Sequence, residues 1–164
     1  MSVIRIVAAV VLDERNHVLV VRKRGTTAFM QPGGKIEPGE ESFEALVREV
    51  REELGAGVDE SSARMLGRFT AAAANEPGYV VDADLFLVSL DGVPRAAAEI
   101  EEVMWVDPHS ADGVELAPLT SQTVLALARD ASADGRGAVR AHPEDLDGVA
   151  DVGKPVQRSN FGSP

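Results

Sequence analysis

The chain of 164 residues contains no cysteine. That absence argues against a disulfide-stapled secreted framework and against a cysteine-built structural zinc site. Aromatic residues are scarce, with one Trp, one Tyr and five Phe, so few side chains could stack on a flat ligand. Cations are also in the minority: 16 Lys and Arg against 27 Asp and Glu give a formal net charge of −11. A phosphate backbone is held chiefly by lysine and arginine, so the charge argues against a nucleic-acid polymer as partner. Long apolar runs are missing as well. The opening stretch, residues 3–12, is interrupted by Arg5 and is too short to span a bilayer. Together these absences predict a cytoplasmic protein with no membrane partner. The acidic balance serves solubility on its own terms, yet it is compatible with a phosphate substrate if bound cations supply the missing positive charge.

What is present reads as one globular domain over residues 1–130 with a C-terminal tail over 131–164. Apolar stretches at 4–12 and 18–21, separated by the polar residues 13–16, predict a β-hairpin. A glycine- and proline-rich loop follows at 31–39, QPGGKIEPG. Helical spacing of Phe43, Leu46, Val47, Val50 and Leu54 then predicts a helix with Ser42 as N-cap and Gly55 as terminator. Further strands are expected over 64–72, 79–90 and 103–106, and a second helix over 122–131. Beyond Asp130, Ala, Asp, Gly and Pro dominate. That composition predicts a tail that is disordered, or that packs on the domain or a neighbouring subunit through Val149, Val152, Val156 and Phe161.

The first helix breaks local rules. Glu49, Glu52 and Glu53 fall on one side of it, at a spacing of roughly 100° per residue. Glu52 and Glu53 occupy the last turn, where the helix dipole disfavours an acidic side chain by about 0.3–1 kcal/mol. The like-charge pair Glu49 and Glu53, four residues apart, adds a penalty of about 0.2–0.5 kcal/mol. A solvated face relieved by Arg48 pairing with Glu44 or Glu52 is one explanation. The other is a functional site, because clustered carboxylates suit hard, oxygen-seeking cations such as magnesium. In the loop before the helix, Gly33 and Gly34 allow close backbone approach to a ligand and Lys35 offers a mobile cation, although a Pro-Gly-Gly turn can also be a simple bend.

Taken together, Gly34, Glu40, Arg48, Glu49, Val50, Glu52, Glu53, Gly55 and Ala56 follow a recognisable spacing: a glycine, five residues, a glutamate, seven residues, then RE-apolar-x-EE-x-G-apolar. This resembles the signature of the Nudix hydrolases, with Ala56 as the one soft departure, where a larger aliphatic residue is more usual. The flanking segments FMQPGG at 29–34 and EIEEVMWVD at 99–107 also look like that family, so the resemblance covers residues 3 to 130. It implies an α/β fold of the α+β type, an α/β/α sandwich with a mixed β-sheet between helices. It further implies divalent-metal-dependent hydrolysis of a diphosphate linkage in a nucleoside triphosphate, a nucleotide sugar or a dinucleoside polyphosphate.

By the same resemblance Glu49, Glu52 and Glu53 carry the metal, magnesium or alternatively manganese, with the Gly33 carbonyl as a further ligand. Arg48 and Glu99 complete the implied catalytic set, Glu99 being preferred to Glu101 and Glu102 as the distal carboxylate. Gly34 and Glu40 support the site, Glu40 with Arg48 as the link between loop and helix. Lys35 and the basic run Arg22, Lys23 and Arg24 are candidates for holding the departing phosphate, although a solvated strand end is the favoured explanation of the run. Phe29, Asn75 and Tyr79 are candidates for recognising the rest of the substrate, with a core or turn role as the alternative for each. A homodimer is expected from the resemblance.

Other patterns lead nowhere. A P-loop would need glycine at Phe29 and serine or threonine at Ile36. Asp82 and Asp84 lack the third ligand and the glycine of a calcium loop. His17, His109 and His142 have no ligand spacing. Two other functional classes stay open: a ligand-binding sensor that uses the same fold without turnover, and an interaction domain whose acidic helix binds no metal.

Overall fold

The computed structural model describes residues 2–134 and 150–151. Its elements, in chain order, are β1 (Ser2–Val10), β2 (Val18–Lys23), β3 (Gly33–Lys35), α1 (Ser42–Leu54), β4 (Gly57–Ala72), β5 (Tyr79–Asp91) and β6 (Ile100–Val106). A π-helical turn (Thr120–Val124) then runs into α2 (Leu125–Ala133), and β7 (Ala150–Asp151) ends the described chain.

The strands form a mixed four-stranded sheet, in the order β3-β1-β5-β4, and a three-stranded sheet, β2-β6-β7. Within the first sheet β1 runs parallel to β5 and antiparallel to β3. Side chains alternate across the strands, and both faces are covered. Ala8, Val10, Leu12, Val18, Val20, Leu85 and Val106 pack with α2 residues Leu125 and Ala128. Val7, Ala9, Val11, Leu19, Val21, Val88 and Trp105 pack with α1 residues Leu46, Val50 and Leu54. Burial on both faces is why β1 and β2 read as unbroken apolar runs rather than as alternating strands. The outcome is the expected mixed sheet between helices.

The expected hairpin exists only at its tip. Leu12 bridges Val18, and the Leu19 N–H donates to the Val11 carbonyl at 2.9 Å. Asp13 is buried at the turn and accepts the backbone N–H of Arg15 (2.9 Å) and of His17 (2.8 Å). Beyond that point the strands separate, β1 going to β3 and β5 and β2 going to β6. This seam joins the two sheets.

The N-cap of α1 is Glu41 rather than Ser42, and Glu44 at the third helical position reaches back to the Glu41 N–H at 3.2 Å. The helix ends as expected at Gly55, whose N–H returns to the Arg51 carbonyl. Helical backbone in α2 continues through 131–133, residues the sequence assigns to the tail. The rest of the tail, with Val149, Val152, Val156 and Phe161, lies outside the described residues apart from Ala150 and Asp151, which pair parallel with Met104 and Trp105 of β6. No helix among the described residues is long and apolar enough to cross a membrane.

Candidate active site

The signature loop lies directly on α1, and two glycines make that possible. At Gly33 the backbone takes φ +153°, and an added Cβ would run into the Val7 carbonyl of the neighbouring strand β1. At Gly34 a Cβ would stand 2.5 Å from Cδ and Oε1 of Glu49. The loop can therefore touch the helix carboxylates only because side chains are missing here.

Arg48 fastens the two segments. Its Nε and Nη2 form a bidentate pair with Glu40 at 2.8 and 3.0 Å, and Nη2 also donates to the Lys35 carbonyl at 3.1 Å. Such a planar fork suits arginine and not lysine. The hydrogen bond from Arg48, joined by the Glu37 N–H, holds the Glu40 carboxyl below its usual range. Nη1 of Arg48 turns the other way, donating to Glu49 at 2.8 Å and standing 3.6 Å from Glu52. Of the sequence alternatives for Arg48, Glu52 is thus a partner and Glu44 is a helix cap.

The three helix glutamates are unequally buried, while the charge of Glu52 acts on Glu49 and that of Glu49 on Glu53. Glu52 is on the surface, its side chain 55% exposed, while Glu49 is half-buried beside Arg48. Glu53 is 1% exposed, turned inward so that it accepts the Gly33 N–H at 3.2 Å. Burial pushes the Glu53 carboxyl up to about 8, with the nearby charges of Glu49 and Glu99 adding to the rise and Gly33 and Lys23 opposing it. Burial also raises Glu49, against the pull of Arg48. Among the described residues no group of three or more His, Asp or Glu side chains is gathered closely enough to hold an ion. The reason is visible in the pairing: Arg48 draws Glu49 and Glu52 toward itself while Glu53 hydrogen-bonds to the loop.

Glu99 is exposed, with Oε1 3.8 Å from Lys23 Nζ, and its charge acts on both Glu49 and Glu53. Glu101 and Glu102 instead face Arg22, at 3.9 and 3.1 Å.

A cleft of about 150 Å³ opens beside the loop, with Gly33 and Gly34 in its lining. Lys23, Lys35, Gln31, Asn75 and Glu76 supply its polar lining, and Ile6, Ala72, Val81 and Leu119 much of its apolar wall. Lys35 stands at the mouth, 3.8 Å from Glu76. The basic run divides: Lys23 lines the cleft, Arg24 is exposed, and Arg22 is spent on Glu102, the Thr26 carbonyl and the face of Phe29. Phe29 is a core residue, 8% exposed, and Tyr79 is an exposed residue at the start of β5. Neither is among the residues lining the cleft. The sequence reading passed over Gln31 and Thr120; a polar residue between Met30 and the Pro-Gly-Gly turn was the available signal for the first, and nothing local pointed to the second.

The model of the NUDIX domain matches residues 3–127. A putative 8-oxo-dGTP diphosphatase of Bacillus subtilis is 31% identical over 101 residues, 60% of this chain and 63% of that protein, so the match spans less than two thirds of that relative. The CTP pyrophosphohydrolase of Escherichia coli is 30% identical over 124 residues, 72% of this chain and 86% of that one. Among solved structures, that of the E. coli ORF135 protein superposes with a TM-score of 0.61 at 28% identity, covering 82% of this chain and 94% of that chain. NUDIX hydrolases generally need a divalent metal ion. With the signature residues assembled between β3 and α1 and the family model matching most of the chain, the protein belongs to the NUDIX family.

Proposed function

We propose that the chain is a cytoplasmic, divalent-metal-dependent pyrophosphohydrolase that cleaves the diphosphate linkage of a small nucleotide or nucleotide derivative, with magnesium as the metal. The observation that carries this reading is Glu53. It is a carboxylate buried among core side chains with one hydrogen bond, repelled by Glu49 and Glu99. Burying such a charge is costly, the Gly33 N–H and Lys23 do not outweigh burial and repulsion, and a cation beside it removes the conflict. Its donor chemistry fits a hard oxygen-seeking ion, to be held by Glu49, Glu52 and Glu53 with the Gly33 carbonyl. The relatives' names, a diphosphatase and a pyrophosphohydrolase, support the same reaction class.

A bound divalent ion supplies charge neutralisation on the non-bridging phosphate oxygens and a more acidic attacking water. The chain's own residues do the rest. A carboxylate of the set Glu49, Glu52, Glu53 and Glu99 accepts the proton of the water whose oxygen attacks phosphorus. As that P–O bond forms, the bridging P–O bond breaks, and Lys35 and Lys23 at the cleft stabilise the charge on the departing phosphate. Arg48 and Glu40 keep loop and helix in register throughout. The test is phosphate or pyrophosphate release from a panel of nucleoside triphosphates, nucleotide sugars and dinucleoside polyphosphates, with magnesium and with chelator. Magnesium-dependent release from one class is expected. Ligand-induced thermal stabilisation with no product from any class would replace the hydrolase by a sensor.

A further inference from the structure

Gln31 is a polar side chain of the cleft to which the reaction above gives no task. It is 6% exposed and its amide is half satisfied. Oε1 accepts the hydroxyl of Thr120 at 3.0 Å, whereas Nε2 is buried with no hydrogen-bond partner. Buried donors without acceptors are rare in native proteins, and each calls for an explanation in terms of function or a missing partner. Two features suggest what the partner is. Gln31 lines the same cleft as Gly33 and Gly34, the loop residues that lie against the α1 glutamates, so a ligand held at that loop has this side chain as a neighbour. Thr120 is fully buried and opens the π-helical turn, a geometry found disproportionately at functional sites.

The amide is also rigidly carried. The Phe29 N–H donates to the Glu115 carbonyl and the Ala117 N–H to the Phe29 carbonyl, both at 2.8 Å, while Met30 and Val21 exchange backbone bonds. Segment 29–31 is thus clamped between β2 and the chain leading to Thr120. With no aromatic residue lining the cleft, a flat ligand gains only aliphatic contact there. Discrimination then falls to the hydrogen bonds made at its edge.

We propose that Gln31 determines base specificity, with Nε2 donating to a ring carbonyl oxygen of a keto-bearing nucleobase, and that Thr120 is a positioning residue that commits Oε1 inward. The assignment rests on the reading of the chain as a nucleotide pyrophosphohydrolase. A keto oxygen accepts from Nε2, whereas an exocyclic amine at the same place offers another donor. Leaving the site's buried polar group unpaired is what rejects the wrong base.

Inosine and adenosine triphosphates differ in this respect at one position and serve as the probe pair. Turnover of each, and binding of each in chelator by calorimetry, are measured for the full chain and for Gln31→Met and Thr120→Val. The wild type is expected to favour inosine triphosphate by about tenfold or more in kcat/KM, mostly through KM. The ratio should fall toward one in Gln31→Met and partway in Thr120→Val. A wild-type preference for adenosine triphosphate, or an equal loss on both nucleotides in Gln31→Met, overturns the assignment. Should wild type bind with the predicted preference but release no phosphate, Gln31 keeps its role and the hydrolase reading fails. Binding of neither nucleotide overturns both.

Discussion

At the scale of single residues the account turns on charge placed where it is hard to keep. Glu53 is buried and repelled, Glu52 is exposed beside Arg48. Replacing either with glutamine should abolish metal-dependent turnover, but the two should differ in stability. In chelator Glu53→Gln should raise the melting temperature, because a buried carboxylate is replaced by a neutral group of the same shape, while Glu52→Gln should leave it unchanged. Full activity in both variants would remove the metal assignment. Asp84 shows the opposite electrostatics. Burial acts to raise its carboxyl, but hydrogen bonds from Arg68 (2.9 Å) and Arg5 (2.9 Å) outweigh burial and hold it below the usual range. Its stabilisation is therefore fully present above the unfolded carboxyl value of about 3.9 and is lost as pH falls through the lower folded value. Asp84→Asn should melt well below wild type at neutral pH, and the gap should close in the acid range below about pH 4. The clustering of glutamates on α1 was legible from spacing, and their metal role rests on the family resemblance. Their unequal burial was not legible, because a helical projection records angle and not what the chain before the helix lays over it. Phe29 illustrates the same limit: its neighbours in sequence suggest a loop, and its neighbours in space are the core.

At the scale of elements, the site is a loop and a helix held in contact by one bidentate pair and two missing side chains. Gly33 and Gly34 should therefore respond differently to alanine. At Gly33 the new Cβ meets backbone of β1 and a strained φ, so Gly33→Ala should chiefly destabilise. At Gly34 it meets the carboxylate of Glu49, the far end of a flexible side chain, so Gly34→Ala should displace Glu49 and lose most turnover with the smaller drop in melting temperature. Paired melting and turnover measurements check this, and a Gly34→Ala variant that is destabilised yet fully active per folded molecule contradicts it. The end of α1 could be read from Gly55 and most strands from their apolar runs, whereas the N-cap of that helix fell one residue before Ser42 and β3 lay hidden in the glycine-rich loop. Partner choice could not be read. β1 leaves its sequence neighbour β2 for β5, some seventy residues on, a pairing set by long-range register, Ser2 with Tyr79 through Val10 with Leu87.

At the scale of the whole molecule, two apolar layers clamp the sheets between helices, and the cleft and the glutamates meet at the glycine loop along one edge of that core. The net charge of −11 makes the protein a poor partner for polyphosphate on its own and a good one for cations. An ion that binds the folded state and not the unfolded chain stabilises it by mass action. Magnesium should thus raise the melting temperature of wild type in a concentration-dependent way, and the rise should be reduced in Glu53→Gln. An equal rise in the variant would assign the effect to general screening of the acidic surface.

The most direct measurement is phosphate or pyrophosphate release from the nucleotide panel by wild type and Glu53→Gln, each with magnesium and with chelator. The account predicts release by wild type with magnesium only, and none by Glu53→Gln under either condition, with the variant folded and at least as stable in chelator. Release that persists in chelator, or that survives in Glu53→Gln, would contradict it.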